Sequence, residues 1–118
     1  MSDLVVARPP EPLANWLATR GYLPKGALLI KRLAALPELR LCRTDLPISV
    51  DEGVVAEASA RDHAGRDLPR WRRCYTLSRG DVFLLNWDNP ASLDGRYFGA
   101  LPVAAVIGRA RPIWTEAE

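Results

Sequence analysis

The stretch ALLIKRLAAL, residues 27–36, decides how the rest of this chain is arranged. Its hydrophobic periodicity suits either a helix or a buried strand. Pro24 and Gly26 come just before the stretch and Pro37 follows it, and these breakers favour a short buried strand. We therefore predict a strand here, with Lys31 inside an otherwise apolar run.

Segments on both sides of this stretch also have strand character, and only one segment has helical spacing. Ten prolines and eight glycines interrupt the chain too often for long helices. Leu13, Trp16 and Leu17 recur at spacings of three and four, and Gly21 follows where a helix would end, so residues 10–20 predict one short amphipathic helix. Strands are predicted at residues 3–8, 38–43, 45–51, 54–58, 74–77, 81–86 and 102–113. The expected fold class is mainly β with one short helix.

The length of the chain predicts one domain over residues 1–118. A chain of 118 residues and 13.1 kDa is close to the modal size of a single domain. No apolar run approaches the roughly 18 to 20 residues that cross a bilayer. Residues 59–73 have no periodicity and are rich in Asp, Arg and Gly, so we predict an irregular surface excursion there.

The charge balance and the metal-binding residue types exclude several functions. The net charge of +2 is too small for the field of a typical nucleic-acid binder, so no nucleic-acid partner is predicted, and residues 70–73 (RWRR) are interpreted as a solvated loop. One His and two Cys do not complete a four-ligand structural zinc site, and we predict neither metal nor cofactor. Cys42 and Cys74 form either a disulfide or two free thiols, and the residues alone leave both open.

The use of lysine draws attention to Lys31. Of the 16 basic residues, only Lys25 and Lys31 are lysines and the others are arginines. Arginine does not lose its proton in proteins, whereas a buried lysine can, so a lysine kept in an arginine-rich chain can mark a place where a neutral amine is needed. Codon bias that left two lysines behind is the plainer explanation. Lys25 lies in a Pro-Gly turn and is interpreted as solvated.

Three motifs lie in order along the chain: SDLVV at residues 2–6, LIKRLAALP at residues 29–37 and SLDGRYFG at residues 92–99. They resemble, in the same order, the Gly-Asp-hydrophobic box, the box of the general-base lysine and the Ser-x-Asp-x-Arg-Tyr box of bacterial signal peptidase I. The match is closer to the TraF-like conjugative-transfer peptidases. Glu38 departs from the pattern, because a Gly usually follows the Leu-Pro of the lysine box. The resemblance implies twisted antiparallel sheets that form a partial barrel.

The resemblance also implies a catalytic chemistry, a Ser/Lys dyad that hydrolyses peptides. Lys31 would be the general base, which requires a neutral amine, and an unperturbed lysine with a pKa of about 10.4 is only about 0.1% neutral at pH 7.5. Burial in an apolar strand would lower that pKa. Ser92 would orient the amine, and Asp94 with Arg96 would brace the loop that presents Ser92.

The resemblance implies a substrate, a location and a disulfide as well. The substrate would be an exported preprotein or propilin, bound as an added strand along the lysine strand, with residues 27–30 (Ala27, Leu28, Leu29 and Ile30) as lining. Cys42 and Cys74 resemble the disulfide pair of the TraF-like branch. The family acts at the periplasmic face of the inner membrane, held by an N-terminal membrane anchor.

One departure bears on activity. The family's serine nucleophile lies in a Ser-x-x-Pro-like box upstream of the Gly-Asp box, and this chain begins at the Gly-Asp box. Ser2 occupies the Gly position of that box and is not the nucleophile. We therefore expect these 118 residues to lack the nucleophile and to be inactive on their own. The rival interpretation is a noncatalytic assembly factor or binding module that kept the fold.

Overall fold

The structure is a computed structural model that describes residues 4–86 and 92–110. Its elements within those ranges are β1 (Leu4–Ala7), α1 (Leu13–Thr19), β2 (Leu29–Ala35), β3 (Arg40–Arg43), β4 (Pro47–Val50), β5 (Gly53–Glu57), β6 (Arg73–Thr76), β7 (Asp81–Leu85), α2 (Gly95–Phe98), β8 (Leu101–Pro102) and β9 (Val106–Arg109). The predicted mainly β class and the short first helix are confirmed. The one-turn helix α2 was not predicted. None of the helices in these ranges has the length and apolar character needed to cross a membrane.

Most of the ALLIKRLAAL stretch forms β2, the middle strand of a five-stranded antiparallel sheet. The strand order in this sheet is β8-β7-β2-β1-β9. β2 pairs with β1 from Leu29 to Arg32 and with β7 from Arg32 to Ala35. Side chains alternate across a strand, so Leu29 and Lys31 are buried on one face while Ile30 is exposed on the other.

The second sheet has four antiparallel strands in the order β5-β4-β3-β6. Cys42 on β3 lies directly opposite Cys74 on β6, and the two form a disulfide. The pairing that the family resemblance implied is therefore confirmed. Asp51 and Glu52 join β4 to β5, and both have positive φ, as the central residues of a two-residue type I′ turn require.

Strand β7 contributes side chains to both hydrophobic cores that the described residues form. Its residues from Val82 to Leu85 are all buried, which accounts for their uninterrupted apolar sequence. Phe83 and Leu85 pack into the larger core together with residues of the second sheet, whereas Val82 and Leu84 pack into the smaller core with residues of β1 and β2. Because β7 also pairs with β2, it holds the lysine strand against both cores.

Helix α1 ends as the sequence predicts, at a glycine. Gly21 has a φ of 77°, and its N–H donates to the carbonyl of Ala18, while the N–H of Tyr22 donates to the carbonyl of Leu17. This is the Schellman arrangement, which satisfies carbonyls that the last helical turn leaves free. It turns the chain sharply from α1 toward β2.

The predicted closing strand over residues 102–113 is wrong in its extent. β8 pairs with β7 at one edge of the five-stranded sheet, and β9 pairs with β1 at the other edge. A turn of 3-10 helix at Val103–Ala105 separates the two strands, which stand at opposite ends of the strand order. Residues 111–113 of the prediction lie outside the described residues.

Glu38 has a φ of 76°, in the left-handed region that favours glycine, at the position where the resembled family usually has Gly. A residue with a side chain costs roughly 1–2 kcal/mol in this region. Glycine avoids this strain, but it loses more conformational entropy on folding, which offsets part of the gain. We expect Glu38→Gly to raise the free energy of unfolding by about 0.5–1 kcal/mol. Urea denaturation of the two proteins measures the change.

The same substitution on a strand is the control for this prediction. Glu57 lies on β5 and is exposed. Its backbone is not in the left-handed region, so Glu57→Gly is expected to destabilise the fold. Equal destabilisation by Glu38→Gly and Glu57→Gly would contradict the strain assigned to Glu38.

Candidate active site

Lys31 and Ser92 meet at the inner face of the five-stranded sheet. The amine Nζ of Lys31 donates a hydrogen bond of 2.6 Å to Oγ of Ser92, which lies 61 residues further along the chain. Each residue is only 9% exposed. The structure therefore brings together the two residues predicted to form the base and its orienter.

Burial determines the acidity of Lys31. Loss of hydration lowers the pKa of its amine below the ordinary value of lysine, because the charged form is the one that loses most solvation. The carboxylate of Asp94 acts in the opposite direction, and the guanidinium of Arg96 adds to the lowering. The net effect shifts Lys31 toward the neutral amine relative to a solvated lysine, and the neutral amine is the form that can accept a proton.

Ser92 is presented by a loop that Asp94 organises. Asp94 is the N-cap of α2, and its carboxylate accepts from the backbone N–H of Arg96 at 3.0 Å and from that of Asn86 at 2.8 Å. The bond to Asn86 ties the loop to the end of β7. An aspartate N-cap satisfies donors that a helix start leaves free, so the sequence Asp-Gly-Arg begins a turn of helix here.

Asp94 and Arg96 also form a buried ion pair. Nε and Nη2 of Arg96 donate to the two carboxylate oxygens at 2.9 and 2.8 Å, which is a bidentate contact. Asp94 is fully buried and Arg96 is 2% exposed. Arg96 further donates to the carbonyls of Asn86 and Glu57, at 3.1 and 3.4 Å. The pair is therefore packed inside the protein, unlike a solvated pair on a polar turn.

Gly95 lies between Asp94 and Arg96, and close packing against β7 explains why this position has no side chain. A Cβ atom at this position would lie 2.6 Å from a ring carbon of Phe83 and 2.7 Å from the carbonyl oxygen of Leu84. Both contacts are too short for a side chain. The loop that carries Ser92 is thus pressed directly against β7.

A cleft of about 790 Å³ opens beside Lys31 and Ser92. It lies between β2, the residues that follow α1 and the irregular segment that starts after β5. Its apolar lining consists of Leu17, Leu23, Leu29, Leu68, Leu93 and Tyr97, and its polar lining also includes Arg20, Arg61, Asp62, His63 and Arg66. Lys31 and Ser92 therefore both line a space large enough for a peptide.

The predicted irregular excursion forms one wall of this cleft. Residues 58–72 hold no strand or helix, and an isolated bridge joins Arg61 to Asp67. Leu68 is buried in the larger core, so this part of the excursion is not on the surface. The carboxylate of Asp62 accepts from the hydroxyl of Tyr22 and from Nε of Arg66, and these contacts lower the pKa of Asp62. They attach the wall to the end of α1.

Comparison with known proteins identifies the family of this chain. A sequence profile described as "Signal peptidase, peptidase S26" matches residues 1–115. The chain belongs to the signal peptidase family, peptidase S26. The family resemblance drawn from the three motifs is therefore confirmed.

Two relatives of this signal peptidase family member have names that refer to plasmid or conjugal transfer. It is 31% identical over 105 residues to the "Plasmid transfer protein TraF" of Escherichia coli, covering 81% of this chain and 59% of that protein. It is 35% identical over 123 residues to the "Conjugal transfer protein TraF" of Agrobacterium fabrum, covering 96% and 68%. The chain thus spans about three-fifths of the length of the Escherichia coli relative.

A solved structure supports the fold. A signal peptidase I from Enterococcus faecalis superposes with a TM-score of 0.51 at 22% identity, over 92% of this chain and 93% of the other. The signal-peptidase-like arrangement of antiparallel sheets is therefore confirmed.

The four residues predicted to line the substrate site of this family member lie in different places. Leu29 lines the cleft, whereas Ala27 lines a separate cavity of about 280 Å³. Leu28 and Ile30 are 39% and 56% exposed. Alternation along β2 separates them, because Leu29 shares a face with Lys31 and its two neighbours do not. A substrate role for Leu29 stays a prediction.

Sequence reasoning missed Arg43, which is fully buried next to the site. Its guanidinium donates to the carbonyl of Arg96 at 2.5 Å. One signal was available, because residues 38–43 alternate and so place Arg43 on the same face as the buried Leu41. Within the described part of the chain, no three His, Cys, Asp or Glu side chains are grouped to hold a metal ion.

Proposed function

We propose that this chain is the catalytic-type domain of a serine endopeptidase of the signal peptidase type, in which Lys31 is the general base. The proposal rests on the hydrogen bond between the buried amine of Lys31 and the hydroxyl of Ser92, two residues that line a peptide-sized cleft. Burying an amine destabilises a protein, and a general base is a reason to keep one.

The proposed peptide hydrolysis requires Lys31 to have a neutral amine. Lys31 would accept the proton of a serine hydroxyl while that oxygen attacks the substrate carbonyl, and it would then protonate the departing amine. A water molecule that transfers its proton to Lys31 would hydrolyse the acyl-enzyme. The hydroxyl of Ser92 would direct the lone pair of Nζ toward the attacking serine, and the buried Asp94–Arg96 pair would keep Ser92 in place.

We place the attacking serine in a Ser-x-x-Pro-like box, a motif that these 118 residues do not contain. The backbone N–H of that serine would contribute to the oxyanion hole, so these residues alone would lack both features. The chain on its own is then expected to cleave nothing, and the complete protein to be active.

The substrate we propose is an exported preprotein, with a conjugative pilin precursor as the leading candidate. The names of the two relatives refer to plasmid and conjugal transfer, which supports a substrate of that pathway. Leu29 on β2 lines the cleft beside Lys31. We propose that an extended peptide is bound as an added strand along β2 and reaches this cleft.

We propose that the domain acts at the periplasmic face of the inner membrane, with an N-terminal anchor in the complete protein. The disulfide between Cys42 and Cys74 supports this location, because disulfides persist in oxidising compartments such as the bacterial periplasm.

A cleavage assay on the complete open reading frame tests the proposal. The complete protein in detergent is expected to cleave an exported preprotein at a single site, while the 118-residue chain shows no turnover. Lys25→Met is the matched control for Lys31→Met, since Lys25 is the other lysine and is exposed beside Glu11. Cleavage should survive in Lys25→Met and disappear in Lys31→Met.

Two results would overturn parts of this proposal. A folded complete protein that cleaves no preprotein would favour the rival function, a noncatalytic factor for pilus assembly. Turnover by the 118-residue chain that persists after repurification would show that the nucleophile lies within these residues.

A further inference from the structure

Arg43 is a buried cation whose hydrogen bonds end on backbone carbonyls. In the described parts of the chain, Nε donates to the carbonyl of Asp45 at 2.5 Å, and Nη1 donates to the carbonyls of Arg96 and Pro69 at 2.5 and 3.2 Å. Its Nη2 is buried and has no hydrogen-bond partner there. Keeping a fully buried guanidinium is costly, so its contacts need an explanation beyond packing.

The contact with Arg96 places Arg43 at the loop that presents Ser92. The carbonyl oxygen of Arg96 accepts a second hydrogen bond, of 3.0 Å, from Nε1 of Trp71. The guanidinium of Arg43 also lies over the Trp71 ring, 5.8 Å from its centre. Two donors from different segments therefore converge on one carbonyl oxygen of α2.

This convergence completes a two-sided attachment of the loop. On one side, the side chain of Arg96 pairs with Asp94 and reaches the carbonyls of Asn86 and Glu57. On the other side, the main chain of Arg96 is held by Arg43 and Trp71. Ser92 lies only four residues before Arg96, so a shift of α2 would move the Ser92 hydroxyl relative to Lys31.

The disulfide supports the same arrangement. Arg43 directly follows Cys42, and Trp71 comes three residues before Cys74, on the segment that leads into β6. The disulfide keeps β3 and β6 paired in the register that brings both donors to Arg96. The RWRR segment, interpreted from sequence as a solvated loop, thus has a half-buried Trp71 that contacts the site.

We propose that Arg43 and Trp71 are positioning residues, which hold the carbonyl of Arg96 and so keep the Ser92 hydroxyl in contact with the Lys31 amine. Their importance for catalysis rests on the proposed function, but the positioning itself exists without substrate. If either donor is lost, α2 moves outward, water reaches Lys31, and the amine becomes easier to protonate.

Titration of Lys31 by NMR tests this proposal in the 118-residue chain. With 13C in the lysine side chains, the protein gives two Cε signals, because it has two lysines, and the Lys25→Met variant assigns them. Trp71→Phe keeps an aromatic six-membered ring and removes the Nε1 donor together with the five-membered ring of the indole. Arg43→Lys keeps a cation and removes the forked geometry. Both are expected to shift the titration midpoint of Lys31 upward.

Ile48→Val is the matched control, because Ile48 is fully buried on β4 opposite Arg43, and its aliphatic side chain has no donor that could hydrogen-bond the carbonyl of Arg96. It is expected to lower the melting temperature and leave the Lys31 midpoint where it is in the wild type. Should Arg43→Lys fail to fold, Trp71→Phe decides the question. An unchanged Lys31 midpoint in folded Trp71→Phe would overturn the positioning role.

The same titration separates this proposal from the proposed function. A Lys31 midpoint near the ordinary 10.4 in the wild type would contradict a neutral general base. A low wild-type midpoint that neither variant changes would contradict the positioning role and leave the general base intact.

Discussion

Replacing Lys31 by Met is expected to abolish cleavage by the complete protein and, at the same time, to stabilise the fold at pH 7. A positioned general base contributes about 10² to 10⁴-fold to the rate, and Met offers no proton acceptor. Met is similar in length to Lys, and it would occupy the same buried, largely apolar position without any charge to desolvate. Function and stability should therefore change in opposite directions at this residue.

The pKa values of Lys31 in the folded and unfolded states set the sign of the change in stability with pH. Burial lowers the folded-state pKa of Lys31 below the unfolded value of about 10.4. Between these two values the unfolded chain binds a proton that the folded protein does not, so the stability of the wild type rises with pH across that window. Each unit of separation corresponds to about 1.36 kcal/mol. In Lys31→Met this contribution to the slope is absent.

Urea denaturation of both proteins at several pH values from 7 to 10 measures the difference. The advantage of Lys31→Met should be largest at the low end of this range and should shrink as the pH approaches the unfolded pKa. Lys25→Met controls for the loss of a lysine at an exposed position. If Lys31→Met were clearly less stable than the wild type at pH 7, Lys31 would have to be charged and paired in the folded protein.

Local patterns were enough to predict the parts of the fold that depend on neighbours along the chain. Strand β2 follows from its flanking breakers, β7 from its apolar run, and α1 from its spacing and from Gly21. The crossing from β8 to β9 was not predictable in this way. It depends on which edges of the sheet remain open, and this is a property of the whole topology.

The candidate site also depends on contacts between residues that are distant in sequence, which local patterns do not predict. Nothing in the local sequence connects Lys31 with Ser92 across 61 residues, and their pairing was expected only because their motifs resemble those of a known family. The alternation of residues 38–43 indicates only that Arg43 is buried, and its role was not predictable because its partner is a backbone carbonyl 53 residues away. Backbone acceptors carry no residue type, so sequence patterns do not reveal such contacts.

Asp94→Ala is expected to lower the free energy of unfolding by about 3–5 kcal/mol, the usual cost of removing one member of a buried ion pair. The substitution leaves the guanidinium of Arg96, which is 2% exposed, without its carboxylate. It also removes the acceptor for the N–H groups of Asn86 and Arg96, and with it the cap of α2. Urea denaturation of the 118-residue chain measures the loss.

An exposed pair of the same residue types provides the matched control. Asp67 pairs with Arg61 at 3.1 Å, and their side chains are 85% and 69% exposed. Water screens such a pair, so Asp67→Ala is expected to cost no more than about 1 kcal/mol. If Asp94→Ala cost as little as Asp67→Ala, the Asp94–Arg96 pair would not be bracing the loop. The position of Ser92 beside Lys31 would then have to depend on the other contacts of Arg96, with the carbonyls of Asn86 and Glu57 and with Arg43 and Trp71.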